Sequence, residues 1–216
     1  MHHSPVGVSP DGAVAIIRSG GVLIFPTETF FGMGGLALDA DATAKVFRVK
    51  RRSSVQPLPI VAANEEQLDM VCRMPQGFAQ LVRPFWPGAL SAVLPARLRV
   101  PDMLTGGTGK VAVRISSHPV CQGLAMALGE PITASSANIS GRPPVTDVAA
   151  LDQELVGGVD GVFDAPPRPG GGLPSTLIEP CDDGAPYRIH LLRDGVVSRQ
   201  VLEQSGFLIV PHREST

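Results

Sequence analysis

The apolar runs in this chain are short, and that limits the fold more than any other feature. Val22-Leu23-Ile24-Phe25 is uninterrupted and stops at Pro26. A continuous apolar run of this length, without alternation, fits a strand buried on both faces. Leu58 to Ala62 repeats the pattern, and Leu90 to Leu94 and Val111 to Ile115 also read as strands. Helical segments lie between them. Ser9 to Ser19 has Ser9 as a candidate N-cap, Pro10 at the first helical position and Gly20-Gly21 as a stop. Asp41 to Arg51, Glu65 to Cys72, Gln76 to Arg83 and Asp147 to Leu155 read as helices. So do Val197 to Gln204 and Pro119 to Leu128, the latter ended by Gly129. Ile132 to Ser135, Val159 to Phe163, Thr176 to Ile178 and Tyr187 to Leu192 read as short strands, with Phe207 to Val210 as an edge strand. Thr27 to Gly35 carries three glycines and two threonines and reads as a loop.

Strands and helices mix along the whole chain, with no linker and no repeat. The expected fold class is α/β, a single domain with one twisted, mixed central sheet flanked by helices. At 216 residues one large domain fits better than two, so residues 1–216 are read as one unit. A chain this long closes a core without disulfides or a structural metal. The Pro/Gly-rich stretch Asp164 to Gly172 lies between strands and reads as a loop within the domain.

Composition narrows the function classes. Hydrophobic residues make up 44% and charged residues 18%, which argues against disorder. A net charge of −2 excludes a nucleic-acid binder held by bulk electrostatics, but leaves room for a local basic pocket. Cys72, Cys121 and Cys181 form no CxxC pair, so neither a zinc ribbon nor a redox dithiol is indicated, and no metal site is expected from the protein itself. The odd cysteine count fits a reducing compartment. Met1 to Gly20 lacks the basic start and apolar block of a signal peptide, and no apolar run reaches membrane-spanning length. The expected location is cytoplasmic.

Four polar clusters could carry chemistry. Pro26-Thr27-Glu28-Thr29 sits at a strand end, where ligands of α/β sheets tend to lie, and Gly32, Gly34 and Gly35 let backbone approach a ligand. A plain strand-to-helix connection explains it equally well. Lys50-Arg51-Arg52 ends a helix. It reads either as a solvated cap relieving the helix dipole or as a phosphate-holding pair, Lys50 and Arg52. Thr133 to Gly141 gathers small hydroxyls and an amide, as a polar pocket or a Ser/Asn-rich turn would. Gly170-Gly171-Gly172-Leu173-Pro174-Ser175-Thr176 is weak alone, as is Arg193. Arg114 is more telling, because a charge inside an apolar strand needs a partner or a ligand. Gly106 to Lys110 resembles a P-loop but fails it. Leu104 stands where the first Gly belongs, and Val111 where Ser or Thr follows the Lys. His2, His3, His118, His190 and His212 show no metal-ligand spacing, and Trp86 reads as a core anchor.

In their order along the chain, these clusters resemble the YrdC/TsaC family of L-threonylcarbamoyladenylate synthases. The resemblance rests on Pro26-Thr27-Glu28-Thr29-Phe30-Phe31-Gly32-Met33-Gly34, Lys50-Arg51-Arg52, Trp86-Pro87-Gly88 and Arg114. It continues through Ser136-Ala137-Asn138, Pro174-Ser175-Thr176 and Leu192 to Gly195. The chain departs from the family pattern at Phe31, Ser53, Gln56 and Val61. The resemblance runs from about Gly12 to Gly206, the core of the implied domain, and the length resembles the family's short single-domain form.

The resemblance implies a function. The family joins L-threonine, bicarbonate and ATP into threonylcarbamoyl-AMP and releases pyrophosphate, for modification of tRNA adenosine. It implies ATP contacts from Lys50, Arg52, Gln56, Ser136, Asn138 and Arg193, with Lys50 and Arg52 as the catalytic pair. It implies threonine contacts from Thr27, Thr29, Arg114, Ser140 and Ser175, and Mg²⁺ bound with ATP. Implied partners are a tRNA threonylcarbamoyl transferase that takes the product, and a weak tRNA contact. Two rival readings stand beside it. One is a paralogue on the same fold with a changed substrate, and the other is a non-catalytic RNA-binding module.

Overall fold

The computed structural model describes residues 7–53, 56–181 and 184–211. His2, His3 and His212 lie outside these. Helix α1 (Pro10–Arg18) starts as expected: the Ser9 side chain accepts from the Gly12 N–H, and Pro10 takes the first turn. Strand β1 (Leu23–Pro26) follows, and then β2 (Phe31–Gly34), which pairs antiparallel with it from Leu23↔Gly34 to Pro26↔Phe31. The second half of the expected Thr27–Gly35 loop is therefore a strand. Glycines mask strand character in sequence, but here they permit close packing. A β-carbon on Gly34 would lie 1.7 Å from the Thr133 carbonyl oxygen, and one on Gly35 would lie 2.7 Å from that of Gly21. Both glycines serve packing within the protein, which corrects their reading as ligand approaches.

Helix α2 (Ala40–Lys50) and strand β3 (Ile60–Ala62) come next, then α3 (Glu65–Val71), α4 (Phe78–Val82) and β4 (Leu90–Pro95). A short helix with no clear sequence signal, α5 (Asp102–Thr105), precedes β5 (Lys110–Ile115) and α6 (Pro119–Leu128). The run Ile132 to Ser135 is not one strand. It divides into β6 (Ile132–Thr133) and β7 (Ser135–Ser136), which join different sheets. Asp147 to Leu155 likewise splits into a 3-10 turn (Val148–Ala150) and α7 (Gln153–Gly158), with Asp152 capping the latter. The chain closes with β8 (Gly161–Val162), β9 (Thr176–Pro180), β10 (Arg188–Arg193), α8 (Arg199–Gln204) and the edge strand β11 (Leu208–Ile209).

The α/β class holds, but the one central sheet expected is corrected to two mixed sheets, because β7, β2, β1 and β8 pair among themselves and not with the other strands. One has the order β7-β2-β1-β8 and the other β11-β10-β9-β4-β5-β3-β6. Each contains parallel and antiparallel pairs. The sheets share a core, since one apolar cluster holds Ile24, Phe31 and Met33 from the first and Leu90, Val113 and Ile178 from the second. Leu23 and Phe25 point the other way, into a second cluster with Ala13 and Ile17 of α1 and Leu124 and Ala125 of α6. The double burial read from the run Val22–Phe25 is thus real. Where the sheets meet, the Thr133 N–H donates to the Gly35 carbonyl at 2.9 Å. That junction positions the functional cavity.

Candidate active site

A cavity of about 590 Å³ opens at the junction. The turn between β1 and β2 contributes Thr27, Thr29 and Phe30, and β2 adds Phe31 and Gly32. Strand β7 supplies Ser135 and Ser136, and β5 supplies Arg114. Ser175 comes from just before β9, and Arg193 from the end of β10. Arg52, Pro59 and the pair Pro143-Pro144 complete most of the wall. Residues far apart in sequence meet because strands of both sheets border this cavity.

The first turn is built by its own side chain. Thr27 Oγ1 donates to the Phe30 carbonyl at 2.7 Å and receives longer contacts from the Thr29 and Phe30 N–H groups. A hydroxyl used in this way shapes a turn as Asx and Ser/Thr motifs do. The Pro/Gly loop is pinned across it: Gly170 N–H donates to the Glu28 carbonyl at 3.3 Å, and Gly171 N–H to that of Thr29 at 2.8 Å.

Three guanidinium groups converge on the cavity. Arg52 Nε donates to the Gln56 carbonyl at 2.7 Å and its Nη2 to Pro57 at 3.1 Å. Arg193 donates to the Ser175 carbonyl at 2.8 Å and to the Ser175 hydroxyl at 3.0 Å. That hydroxyl also meets Ser91 Oγ at 3.1 Å, so Ser175 is held from two sides. Arg114 is 4% exposed, and its Nε donates to Glu28 Oε1 at 2.8 Å. Burial lowers the pKa of Arg193, and repulsion from Arg114 and Arg52 adds to it. Burial also lowers that of Arg52. Such a cluster of partly desolvated cations favours an anionic ligand.

The Lys50-Arg51-Arg52 motif separates its side chains by a backbone device. Arg51 ends α2 in the left-handed conformation at φ 51°. The turn sends Arg51 outward to Glu154 and Arg52 into the cavity wall. Lys50 is buried at 1% exposure beneath the 136–140 segment, where its ammonium donates to the carbonyls of Ser136 and Asn138. Its pKa falls to about 7, from burial first and from Arg52 second.

Residues 15–195 match the Sua5/YciO/YrdC family model, whose description is telomere recombination. The chain belongs to the Sua5/YciO/YrdC family. The threonylcarbamoyl-AMP synthase of Bacillus subtilis is 37% identical over 88% of this chain and 54% of its own length. The one from Halorhodospira halophila is 35% identical over 87% of this chain and 100% of its own. The crystal structure of Pyrococcus abyssi Sua5 complexed with L-threonine aligns with a TM-score of 0.83 at 35% identity, over 92% of this chain and 58% of that one. The chain thus spans little more than half of the Bacillus relative.

Within this Sua5/YciO/YrdC frame, the structure gathers most of the residues singled out from sequence. Thr27, Thr29, Arg52, Arg114, Ser136, Ser175 and Arg193 line the one cavity. Asn138 lines a smaller cavity of about 230 Å³ that shares Pro143 with it. Its amide nitrogen donates to the Ile139 and Arg142 carbonyls, while Asn138 Oδ1 and Ser140 Oγ are buried without a partner. Lys50, Ser140 and the Gln56 side chain are not in the wall of the large cavity, although Gln56 contributes its carbonyl to Arg52. Val61 is fully buried in the second core cluster and is not in the cavity wall.

Three residues beside the cavity were given no role by the sequence reading. Glu28, Ser116 and His118 form a chain beside Arg114. Ser116 Oγ donates to Glu28 Oε2 and accepts the His118 N–H. The His118 ring bonds the Pro167 carbonyl at 2.8 Å, and burial lowers its pKa. The signal for Glu28 was present, since a buried Arg demands a carboxylate and Glu28 stands in the first polar cluster. Burial pushes the Cys72 and Cys121 thiols up to about 12, which makes both inert. Trp86 packs against the core, and its indole N–H donates to the Leu90 carbonyl. Among the described residues no helix is long and apolar enough to cross a membrane, and no group of three His, Cys, Asp or Glu could hold a metal ion.

Proposed function

We propose that this chain makes threonylcarbamoyl-AMP from L-threonine, bicarbonate and ATP, with release of pyrophosphate. The observation that carries the reading is the convergence of Arg52, Arg114 and Arg193 on a hydroxyl-lined cavity. The threonine bound to the P. abyssi relative and the name of the bacterial relatives support it.

The chemistry follows from what the wall offers. The threonine amine attacks the bicarbonate carbon, and water leaves as the carbamate forms. A carbamate oxygen then attacks the α-phosphorus of ATP, and the bond to the β-phosphate oxygen breaks with its electron pair leaving on pyrophosphate. No protein nucleophile is required. The work is positioning, charge stabilisation and exclusion of water. Arg52 and Arg193 face the phosphates, with Lys50 close behind through the loop it holds. Arg114 takes the threonine carboxylate, and Thr29 and Ser175 offer hydrogen bonds to the amino acid. Ser136 and Asn138 border the nucleotide. Mg²⁺ would neutralise phosphate charge. Glu28, the carboxylate on the first turn, is committed to Arg114 and Ser116, so the ion would be held by ATP oxygens and water. The product would pass to a tRNA threonylcarbamoyl transferase.

The test is pyrophosphate release with threonine and bicarbonate each omitted in turn. Release is expected only when both are present. ATP binding without that double dependence would point to a paralogue with another substrate.

A further inference from the structure

The carboxylate of Glu28 has both oxygens engaged. Oε1 takes the Arg114 Nε–H at 2.8 Å, and Oε2 takes the Ser116 hydroxyl. The ion pair is sheltered, at 4% exposure for the Arg114 side chain and 12% for that of Glu28. It also crosses the molecule's main seam, because Glu28 lies on the β1–β2 turn and Arg114 on β5 of the other sheet. The main chain of Glu28 is fixed as well, by the Gly170 N–H. Among the described residues the two terminal nitrogens of Arg114 have no hydrogen-bond partner, and Arg114 lines the cavity.

We propose that Glu28 is a positioning residue for threonine: it grips the Nε edge of Arg114 so that the terminal nitrogens present a ready fork to the substrate carboxylate. This rests on the reading above that Arg114 binds that carboxylate. An unheld Arg side chain carries rotamer entropy that binding would have to remove. A side chain locked before substrate arrives avoids that cost. Glu28 also balances one of three converging cations, so the empty cavity need not hold their full repulsion. Ser116 keeps the second carboxylate oxygen turned away from the incoming anion.

The experiment compares wild type with Glu28→Gln, Glu28→Asp and Arg114→Ala in the pyrophosphate assay, with L-threonine and with L-threonine amide, which lacks the negative carboxylate. In Glu28→Gln the threonine KM is expected to rise by roughly 10–100-fold, the scale of a lost charged hydrogen bond. The KM for ATP should stay within about twofold, and kcat at saturating threonine should change far less than KM. The preference for threonine over its amide should fall in the same proportion, with partial recovery in Glu28→Asp. Equal weakening of threonine and the amide, or of threonine and ATP, would show a merely structural residue and overturn the proposal. So would a Gln variant with unchanged threonine KM. If Glu28→Gln does not fold, the preference ratio of Glu28→Asp decides, and a wild-type ratio there rejects it. Arg114→Ala separates the two levels. If it binds threonine normally, the carboxylate assignment itself is wrong. If it loses threonine while Glu28→Gln does not, only the positioning role fails.

Discussion

The Lys50 Nζ lies 2.8 Å from the Asn138 carbonyl oxygen and also donates to that of Ser136, while the Lys50 carbonyl accepts the Ser140 N–H at 3.0 Å. Helix α2 therefore grips the Ser136–Ser140 segment through both ends of one residue. Loss of this grip should disorder the Ser136–Ser140 segment, whose Ser136 lines the cavity. Lys50→Met keeps the stem and removes the donors. We expect it to lower the adenylation rate by roughly 10²–10³, the scale of losing a charge-stabilising group, and Arg52→Ala to do the same. Single-turnover measurement of adenylate formation checks this, and near-wild-type rates in both would remove the assignment.

Lys50 also predicts a pH dependence of stability. Its folded pKa is near 7, set by burial and then by Arg52, against about 10.4 in an unfolded chain. Between those values the unfolded chain binds more protons than the folded one, so stability should rise with pH. Below about 7 both states carry the proton and this contribution is flat. Urea midpoints at pH 7 and pH 9 should therefore differ more in wild type than in Lys50→Met. Equal slopes would mean that Lys50 keeps its ordinary pKa.

Most strands and helices were legible because short apolar runs and capping residues are local signals. Ser9, Pro10 and Gly129 marked helix ends that the structure retains. The division of the strands was not legible. Ala134 separates β6 from β7, yet nothing in Ile132 to Ser136 signals that Thr133 pairs with Ile60 while Ser136 pairs with Gly32. Those pairings are tertiary choices made by a seam that the glycines of β2 allow. In the site, charged residues in apolar context announced themselves, as Arg114 did. The indirect role of Lys50 in holding backbone was hidden, because a carbonyl partner leaves no residue-type signature.

The seam makes Gly34 a sensitive position. A β-carbon there would overlap the Thr133 carbonyl, a backbone group that cannot step aside cheaply. Gly34→Ala should cost about 3 kcal/mol of stability or prevent folding. Gly157, inside α7, offers a matched control, since a β-carbon there meets nothing within 4 Å. Gly157→Ala should instead stabilise by about 0.4–1 kcal/mol through helix propensity and a less free unfolded chain. Denaturant melts of both variants give the comparison. A Gly34→Ala protein as stable as wild type would show that the two sheets can slide apart at this point.

Amino-acid selection is the sharpest functional prediction. Thr29 and Ser175 line the cavity, and the Ser175 hydroxyl is held by Arg193 and Ser91. A rigid polar site left facing a methyl group loses a hydrogen bond and keeps the desolvation cost. Valine matches threonine in shape but lacks the hydroxyl. A site that reads that hydroxyl should therefore prefer threonine over valine by on the order of 10⁴ in kcat/KM. Pyrophosphate release measured with each amino acid tests this directly. Ser175→Ala should narrow the gap by weakening threonine while leaving valine nearly unchanged. Comparable use of both amino acids by wild type would show that the pocket recognises shape and the carboxylate alone, and would remove the role proposed for Ser175.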